Sequence, residues 1–154
     1  MASPKIETIM ADFAAAVAGI SVANGYTRDL ELVERYRLTG MDQHPNTIAE
    51  IAQGGDFQRG DGLNLEGHSL TVQAVLKVRH DPTSDGLSTD TVMNEHVADI
   101  YKAVMADRTR GGAAQDTRWV STESIDADED GNRAQVEVSF VIDYRHLVGD
   151  MTSG

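Results

Sequence analysis

The sequence predicts an α+β domain in which a mainly antiparallel sheet carries two helices on one face. Alternating apolar and polar residues indicate strands over residues 70–78 and 134–144. Apolar residues at three- and four-residue steps indicate two amphipathic helices. Helical and strand patterns do not alternate strictly enough for a doubly wound sheet, and 154 residues favour a single domain.

The first helix is predicted to begin at Ser3-Pro4, where a capping hydroxyl precedes a proline at the first helical position. Its apolar stripe consists of Ile6, Ile9, Met10, Phe13, Val17 and Ile20. A turn at Asn24-Gly25 follows. The mixed apolar and charged run over residues 28–38 predicts a strand, and residues 47–52 predict a further short strand.

Residues 53–67 contain five glycines and few apolar side chains. We expect a long, flexible loop here, because long loops in compact domains are often functional or disordered. The central strand over residues 69–79 follows, and Asp81-Pro82 and Asp85-Gly86 then interrupt the chain.

The second helix is predicted from about Ser88 to a stop at Gly111-Gly112, with an apolar stripe of Met93, Val97, Ile100 and Val104. A strand from about residue 117, an acidic turn over residues 126–132 and a strand ending at Tyr144-Arg145 then predict an antiparallel hairpin. The tail, residues 146–154, carries no pattern.

The chain is strongly acidic, with 13 Lys plus Arg against 25 Asp plus Glu and a formal charge of −12. Such a charge repels phosphates, which argues against nucleic-acid binding and against adhesion to an anionic membrane. The negative charge either keeps the protein soluble or forms a surface that lies near nucleic acid without binding it. There is no cysteine, no basic signal region and no apolar run of membrane-spanning length, so we expect a soluble protein that stays in the cell that makes it.

One segment matches a calcium-loop pattern through Asp126, Asp128, Asp130, Gly131 and Glu137. Carboxylates at alternate positions can surround a calcium ion, with the glycine allowing the sharp turn. A calcium loop of this type joins two helices, whereas strand patterns flank this one, and Glu137 falls on the polar face of the last strand. We therefore expect a solvated hairpin tip and keep a small calcium-binding domain as an alternative.

The sequence offers no catalytic or transition-metal signature. The five histidines show no metal-ligand spacing along the chain, and no cysteine could complete a zinc site. No nucleophile elbow or phosphate-binding glycine loop is present. We therefore predict that the protein is not an enzyme and holds no cofactor and no metal. A small hydrolase or ligand-binding domain would need a pocket of converging polar groups that the sequence does not indicate.

Residues 99–145 resemble, as a unit, the tail terminator (tail completion) proteins of long-tailed bacteriophages and related tail-derived particles. The resemblance rests on the helical run Asp99-Ile100-Tyr101-Lys102-Ala103-Val104-Met105-Ala106, which leads into Asp107-Arg108-Thr109-Arg110-Gly111-Gly112-Ala113. A strand from Thr117, the acidic hairpin and a final Tyr144-Arg145 follow. The N-terminal helix and the Asp-Pro loop also fit.

The resemblance implies an α+β protein without enzymatic activity or cofactor. Such proteins form a ring, typically a hexamer, that caps the finished tail tube and meets the head connector. The implied partners are further copies of the chain, the tube protein and the connector, and the implied location is the virion tail, assembled in the host cytoplasm. DNA passes through the lumen, where an acidic wall prevents binding; Asp126, Asp128 and Asp130 are candidate lumen residues.

Copies joined by a head-to-tail interface form a closed ring when the rotation from one copy to the next adds up to a full turn. Exposed sheet edges and the predicted loop, with Phe57, Arg59 and Asp61, are candidate contacts with a neighbour or the tube, and we expect the loop to become ordered there. Arg108 and Arg110 either pair with carboxylates of an adjacent subunit or cap their own helix. A head-completion or connector protein remains an alternative within virion assembly.

Overall fold

A computed structural model describes residues 3–35, 46–127 and 132–152. In this part of the chain, a mixed and mostly antiparallel five-stranded sheet combines with three helices, which confirms the α+β class. The strand order is β1-β2-β3-β5-β4, and only the β1–β2 pair is parallel.

The first helix, α1, spans Lys5–Ala18 and buries the predicted apolar stripe against the sheet. Pro4 occupies its N-cap position, one residue before the helix. A single 3-10 turn, Val22–Asn24, follows and ends at Gly25, whose φ of 88° lies in the left-handed region that glycine tolerates.

The two N-terminal strands differ from their predicted extents. β1 spans only Leu32–Arg35 and pairs in parallel with the start of β2, Thr47–Asp61. Residues 28–31 of the predicted first strand are not strand, and residues 36–38 lie outside the described residues. Among the described residues, β1 therefore pairs with Ile48 to Ile51 of the β2 edge.

The loop predicted over residues 53–67 is wrong, because most of this segment is strand. β2 runs to Asp61 and pairs antiparallel with β3, Leu65–Arg79, so the two form a long hairpin with a turn at residues 62–64. Two of the glycines that suggested a loop allow close packing of the strands: a Cβ at Gly67 would lie 2.7 Å from the Gly60 carbonyl oxygen, and one at Gly54 would lie 3.1 Å from Thr71. The outer half of β2 is largely exposed, which is why its apolar alternation is absent.

A short helix, α2 (Pro82–Asp85), is capped by the Asp81 carboxylate, which accepts the Thr83 N–H. The longer α3 spans Thr89–Met105. It ends before the predicted glycine stop, and residues 106–114 form successive turns instead. The Asp107 carboxylate favours these turns because it accepts the backbone N–H groups of Thr109 and Gly111.

The predicted C-terminal hairpin is confirmed by the antiparallel pair β4 (Asp116–Ala127) and β5 (Arg133–Leu147). The tail, predicted to be without structure from residue 146, begins later, because His146 and Leu147 still pair with β3. A turn after β5 then brings the Met151 carbonyl to the Lys5 N–H of α1.

A single apolar cluster forms the core. It contains residues of both long helices together with alternate residues of β3 and β5, which face the same way because side chains alternate along a strand. Phe13 of α1 meets Phe140 of β5 edge to face, with ring centroids 5.5 Å apart.

Candidate functional site

The outer part of the β2–β3 hairpin, residues 54–68, is called the hairpin arm here. Phe57 is 66% exposed and lies over Gly55, and Leu63 at the turn is fully exposed. Exposed apolar side chains at the end of a long hairpin are typical of a contact surface. The contact role of Phe57 stays a prediction, and the segment that carries it is strand rather than loop.

Arg59, another predicted contact, is engaged with its own chain. Its Nη2 donates a 2.8 Å hydrogen bond to Gln115 Oε1, and its Nε lies 3.6 Å from Asp143 Oδ1. The side chain of Asp61, predicted beside it, lies outside the described residues. Arg59 thus joins the arm to the turn that precedes β4.

Arg108 forms a two-point ion pair within the chain, donating from Nε and Nη2 to the two Asp116 carboxylate oxygens at 2.7 and 2.9 Å. The hydrogen bond from Arg108 lowers the pKa of the Asp116 carboxyl and the same bond raises the pKa of Arg108. Both groups are exposed, so the pair adds little stability. The predicted position of Arg108 at a helix end is wrong, since it lies in the turns after α3.

The prediction that Arg110 contacts an adjacent subunit is wrong, because the side chain is fully buried. Arg110 donates to the carbonyls of Val104 and Asp107, and its Nη1 lies 3.3 Å from Asp12 Oδ1 of α1. Burial lowers the pKa of this guanidinium. The alternative of capping is confirmed, because Val104 belongs to the last turn of α3.

Most of the candidate lumen and calcium residues lie outside the part of the chain that the structure describes. Asp128, Asp130 and Gly131 lie outside the described residues, and only the backbone of Asp126 is described, paired with Gln135 in β4–β5. Glu137 lies within β5 as predicted and accepts a 2.6 Å hydrogen bond from Gln73. This bond joins it to the neighbouring strand β3.

β4 forms one edge of the sheet and pairs only with β5 among the described strands. Trp119 and Val120 are about half exposed on it, at 47% and 51%, beside a register shift between Trp119 and Ser121. The outward N–H and C=O groups of an edge strand are available to another strand.

A polar cluster lies where the core face of the sheet ends, formed by Glu66 and His68 of β3 and His146 of β5. The two Nε2 atoms are 2.8 Å apart, and His68 Nε2 is 3.8 Å from Glu66 Oε1. His146 is 3% exposed. All three donor atoms lie within 4.8 Å of one another, which is close enough to hold one metal ion.

Two further groups hold these rings in place. Asp56 of β2 accepts a 2.7 Å hydrogen bond from the Tyr144 hydroxyl, and the same oxygen lies 3.3 Å from His68 Nδ1. The His68 ring stacks on Tyr144, with centroids 5.1 Å apart. Burial is the main cause that raises the pKa of the Tyr144 phenol, followed by its bond to Asp56, so this hydroxyl remains a donor.

Reasoning from the sequence missed this cluster, because His68 and His146 are 78 residues apart. The β3–β5 register sets Glu66 opposite His146 and His68 opposite Tyr144. One signal was present: both histidines continue the even-numbered positions that are apolar in the rest of each strand. Polar residues at the end of a core face point to a site rather than to packing.

No family model and no curated protein matches this chain. Among the described residues, no helix is long and apolar enough to cross a bilayer. The candidate functional features are therefore the hairpin arm, the β4 edge and the histidine cluster, and each is interpreted from its own chemistry.

Proposed function

We propose that this chain is a structural tail-terminator protein that forms a ring, hexameric in the resembled family, on the completed tail tube of a long-tailed phage. The ring stops tube polymerisation and joins the tube to the head connector. The resemblance of residues 99–145 suggests the family, and the α+β architecture agrees with it. In this proposal the chain acts through assembly, in the virion tail, without a chemical reaction.

The observation that carries the proposal is the pair of sheet edges. Among the described strands, β4 lies on one side, and on the other the outer part of β2 runs on beyond the four residues that pair with β1. An edge strand offers a row of unpaired N–H and C=O groups to a second chain. Because the two edges are different surfaces, joining them between copies makes a head-to-tail contact, which forms a ring when the rotation between copies closes.

Apolar side chains mark both edges. Trp119 and Val120 are exposed on β4, and Phe57 is exposed on the outer part of β2. Aromatic side chains with partial exposure are enriched at protein contacts, because they bury a large area at a small cost in conformational entropy. These residues are the proposed core of the interface between neighbouring copies.

The remaining surfaces complete the proposal. Both long helices are proposed to pack on the same sheet face, since they share one core cluster with alternate strand residues. The formal charge of −12 suits a passage for DNA, because a negative wall repels phosphates. Asp126, Asp128 and Asp130 are the proposed lumen residues.

The test compares two valine-to-lysine variants by co-sedimentation with purified tail tubes and by native mass spectrometry. Val120→Lys places a charge in the proposed interface, whereas Val22→Lys places the same charge at a valine that is 57% exposed and lies in the 3-10 turn after α1, outside β2 and β4. We expect the wild type and Val22→Lys to join tubes as a closed ring and Val120→Lys to bind at least tenfold more weakly. Equal behaviour of all three proteins, or no tube binding by the wild type, would contradict the proposal.

A further inference from the structure

We infer that Glu66, His68 and His146 form a binding site for a divalent transition-metal ion. The inference rests on the positions of three donor atoms and of the groups behind them, and it does not depend on the proposed assembly.

The donor set selects the class of ion. Two imidazole nitrogens and one carboxylate oxygen suit Zn²⁺, Ni²⁺, Cu²⁺ or Fe²⁺, whereas Ca²⁺ and Mg²⁺ require oxygen ligands. The two Nε2 atoms are 2.8 Å apart. With metal–nitrogen bonds of about 2.1 Å, that separation gives an N–metal–N angle of roughly 84°, near the right angle of an octahedral or square site. If the two rings move apart so that their Nε2 atoms are about 3.4 Å from each other, the N–metal–N angle becomes tetrahedral.

The hydrogen bond behind His146 sets the tautomer of this ring for the role. His146 Nδ1 lies 2.8 Å from the Leu147 carbonyl oxygen. A carbonyl oxygen only accepts hydrogen bonds, so the Nδ1 atom carries the proton and the Nε2 atom presents its lone pair. Metal-binding histidines are held in the same way, with the second ring N–H bonded to a carbonyl or carboxylate.

His68 faces a carboxylate on the same side of its ring, although its Nδ1 makes no hydrogen bond within the described part of the chain. Its Nδ1 lies 3.3 Å from Asp56 Oδ2, an oxygen that also accepts the Tyr144 hydroxyl. If His68 instead gave an Nε2 proton to His146, its Nδ1 lone pair would face the Asp56 carboxylate, which is unfavourable. An ion that takes both Nε2 lone pairs lets His68 place its proton on Nδ1, between the ring and Asp56.

The site is both shielded and accessible. The His68 and His146 side chains are mostly buried, while the Glu66 side chain is 28% exposed and gives an ion a route from solvent. Three ligands leave coordination positions for water or for a group from a partner. The ion would join β3 to β5 next to the hairpin arm and would stabilise the end of the sheet from which the arm projects.

The test is a Zn²⁺ titration of the untagged full chain, stripped of metal, with a chromophoric chelator as competitor. We expect one Zn²⁺ per chain with a micromolar or lower dissociation constant and no detectable binding of Mg²⁺. His68→Gln is expected to weaken Zn²⁺ binding at least a hundredfold and Glu66→Gln about tenfold. His80→Gln is the matched control, since that histidine has a carboxylate 3.2 Å away, from Asp85, and is not in the cluster; it should change binding less than twofold.

A variant behind the ligands and a spectroscopic measurement separate the site from a general effect on folding. Asp56→Asn should weaken Zn²⁺ binding about tenfold, because it changes the group that faces the His68 ring behind the metal-binding nitrogen. On Zn²⁺ addition, nitrogen NMR should show the Nε2 signals of His68 and His146 shifting while His80 stays unchanged. Absence of one-to-one binding below 100 μM by the wild type, or equal binding by wild type, His68→Gln and Glu66→Gln, would overturn the inference.

Discussion

The buried His96 of α3 predicts that this protein loses stability on mild acidification. His96 is 3% exposed. Burial is the largest cause that lowers its pKa to about 4, and the nearby charge of Arg28 lowers it further, while Asp99 and Glu95 oppose the shift. In the unfolded chain the same imidazole takes up its proton near pH 6.5.

The direction follows from the number of protons that each state binds. Between pH 6.5 and 4 the unfolded chain holds a proton on His96 that the folded chain does not, so the free energy of unfolding falls as pH falls. Above pH 6.5 the His96 imidazole is neutral in both states, so the stability of the fold is not reduced by this group. With these two pKa values, the loss is about 2 kcal/mol at pH 5 and approaches roughly 3 kcal/mol at pH 4.

The assay is urea unfolding followed by circular dichroism at pH 7.5 and pH 5, with His96→Gln as the control variant. Carboxylates elsewhere titrate in both proteins and cancel in the comparison. The wild type should lose about 2 kcal/mol more than His96→Gln between the two pH values. Protein concentration is held constant, because assembly makes apparent stability depend on it. If the two proteins differ by less than about 0.5 kcal/mol in this loss, burial does not keep His96 neutral in the folded state at pH 5.

Two further substitutions test the buried polar contacts, each by urea unfolding at pH 7.5. Arg110→Met should lower the free energy of unfolding by about 2–4 kcal/mol, because it removes the bonds to the Val104 and Asp107 carbonyls and leaves them buried. A loss of less than about 1 kcal/mol would show that Arg110 is not the cap of α3. Tyr144→Phe should cost about 1–2 kcal/mol by removing the donor to Asp56, and an unchanged stability would contradict that hydrogen bond.

The sequence predicted the elements whose burial is periodic. The stripe of α1 and the alternation of β3 and β5 are visible because one face of each is fully buried in the core. The outer half of β2 escaped prediction for the opposite reason, since its side chains are largely exposed, and of its glycines Gly54 packs closely against Thr71 of β3.

The sites were harder to predict than the elements, because they depend on contacts between distant residues. Arg110 looked like a surface residue at a helix end, yet the early end of α3 at Met105 turns it inward against α1. The histidine cluster exists only through the register of β3 and β5. The parallel pairing of β1 with β2 likewise has no local signal, since strand direction is set by the chain between them.

The central claim, that the chain works by assembling into a ring on a tail tube, is tested most directly by electron microscopy of the purified protein mixed with tail tubes. We expect a closed ring at one end of each tube, and we expect that these tubes no longer lengthen when tube protein is added. Compact monomers dispersed in the background, beside tubes that keep growing from both ends, would contradict it.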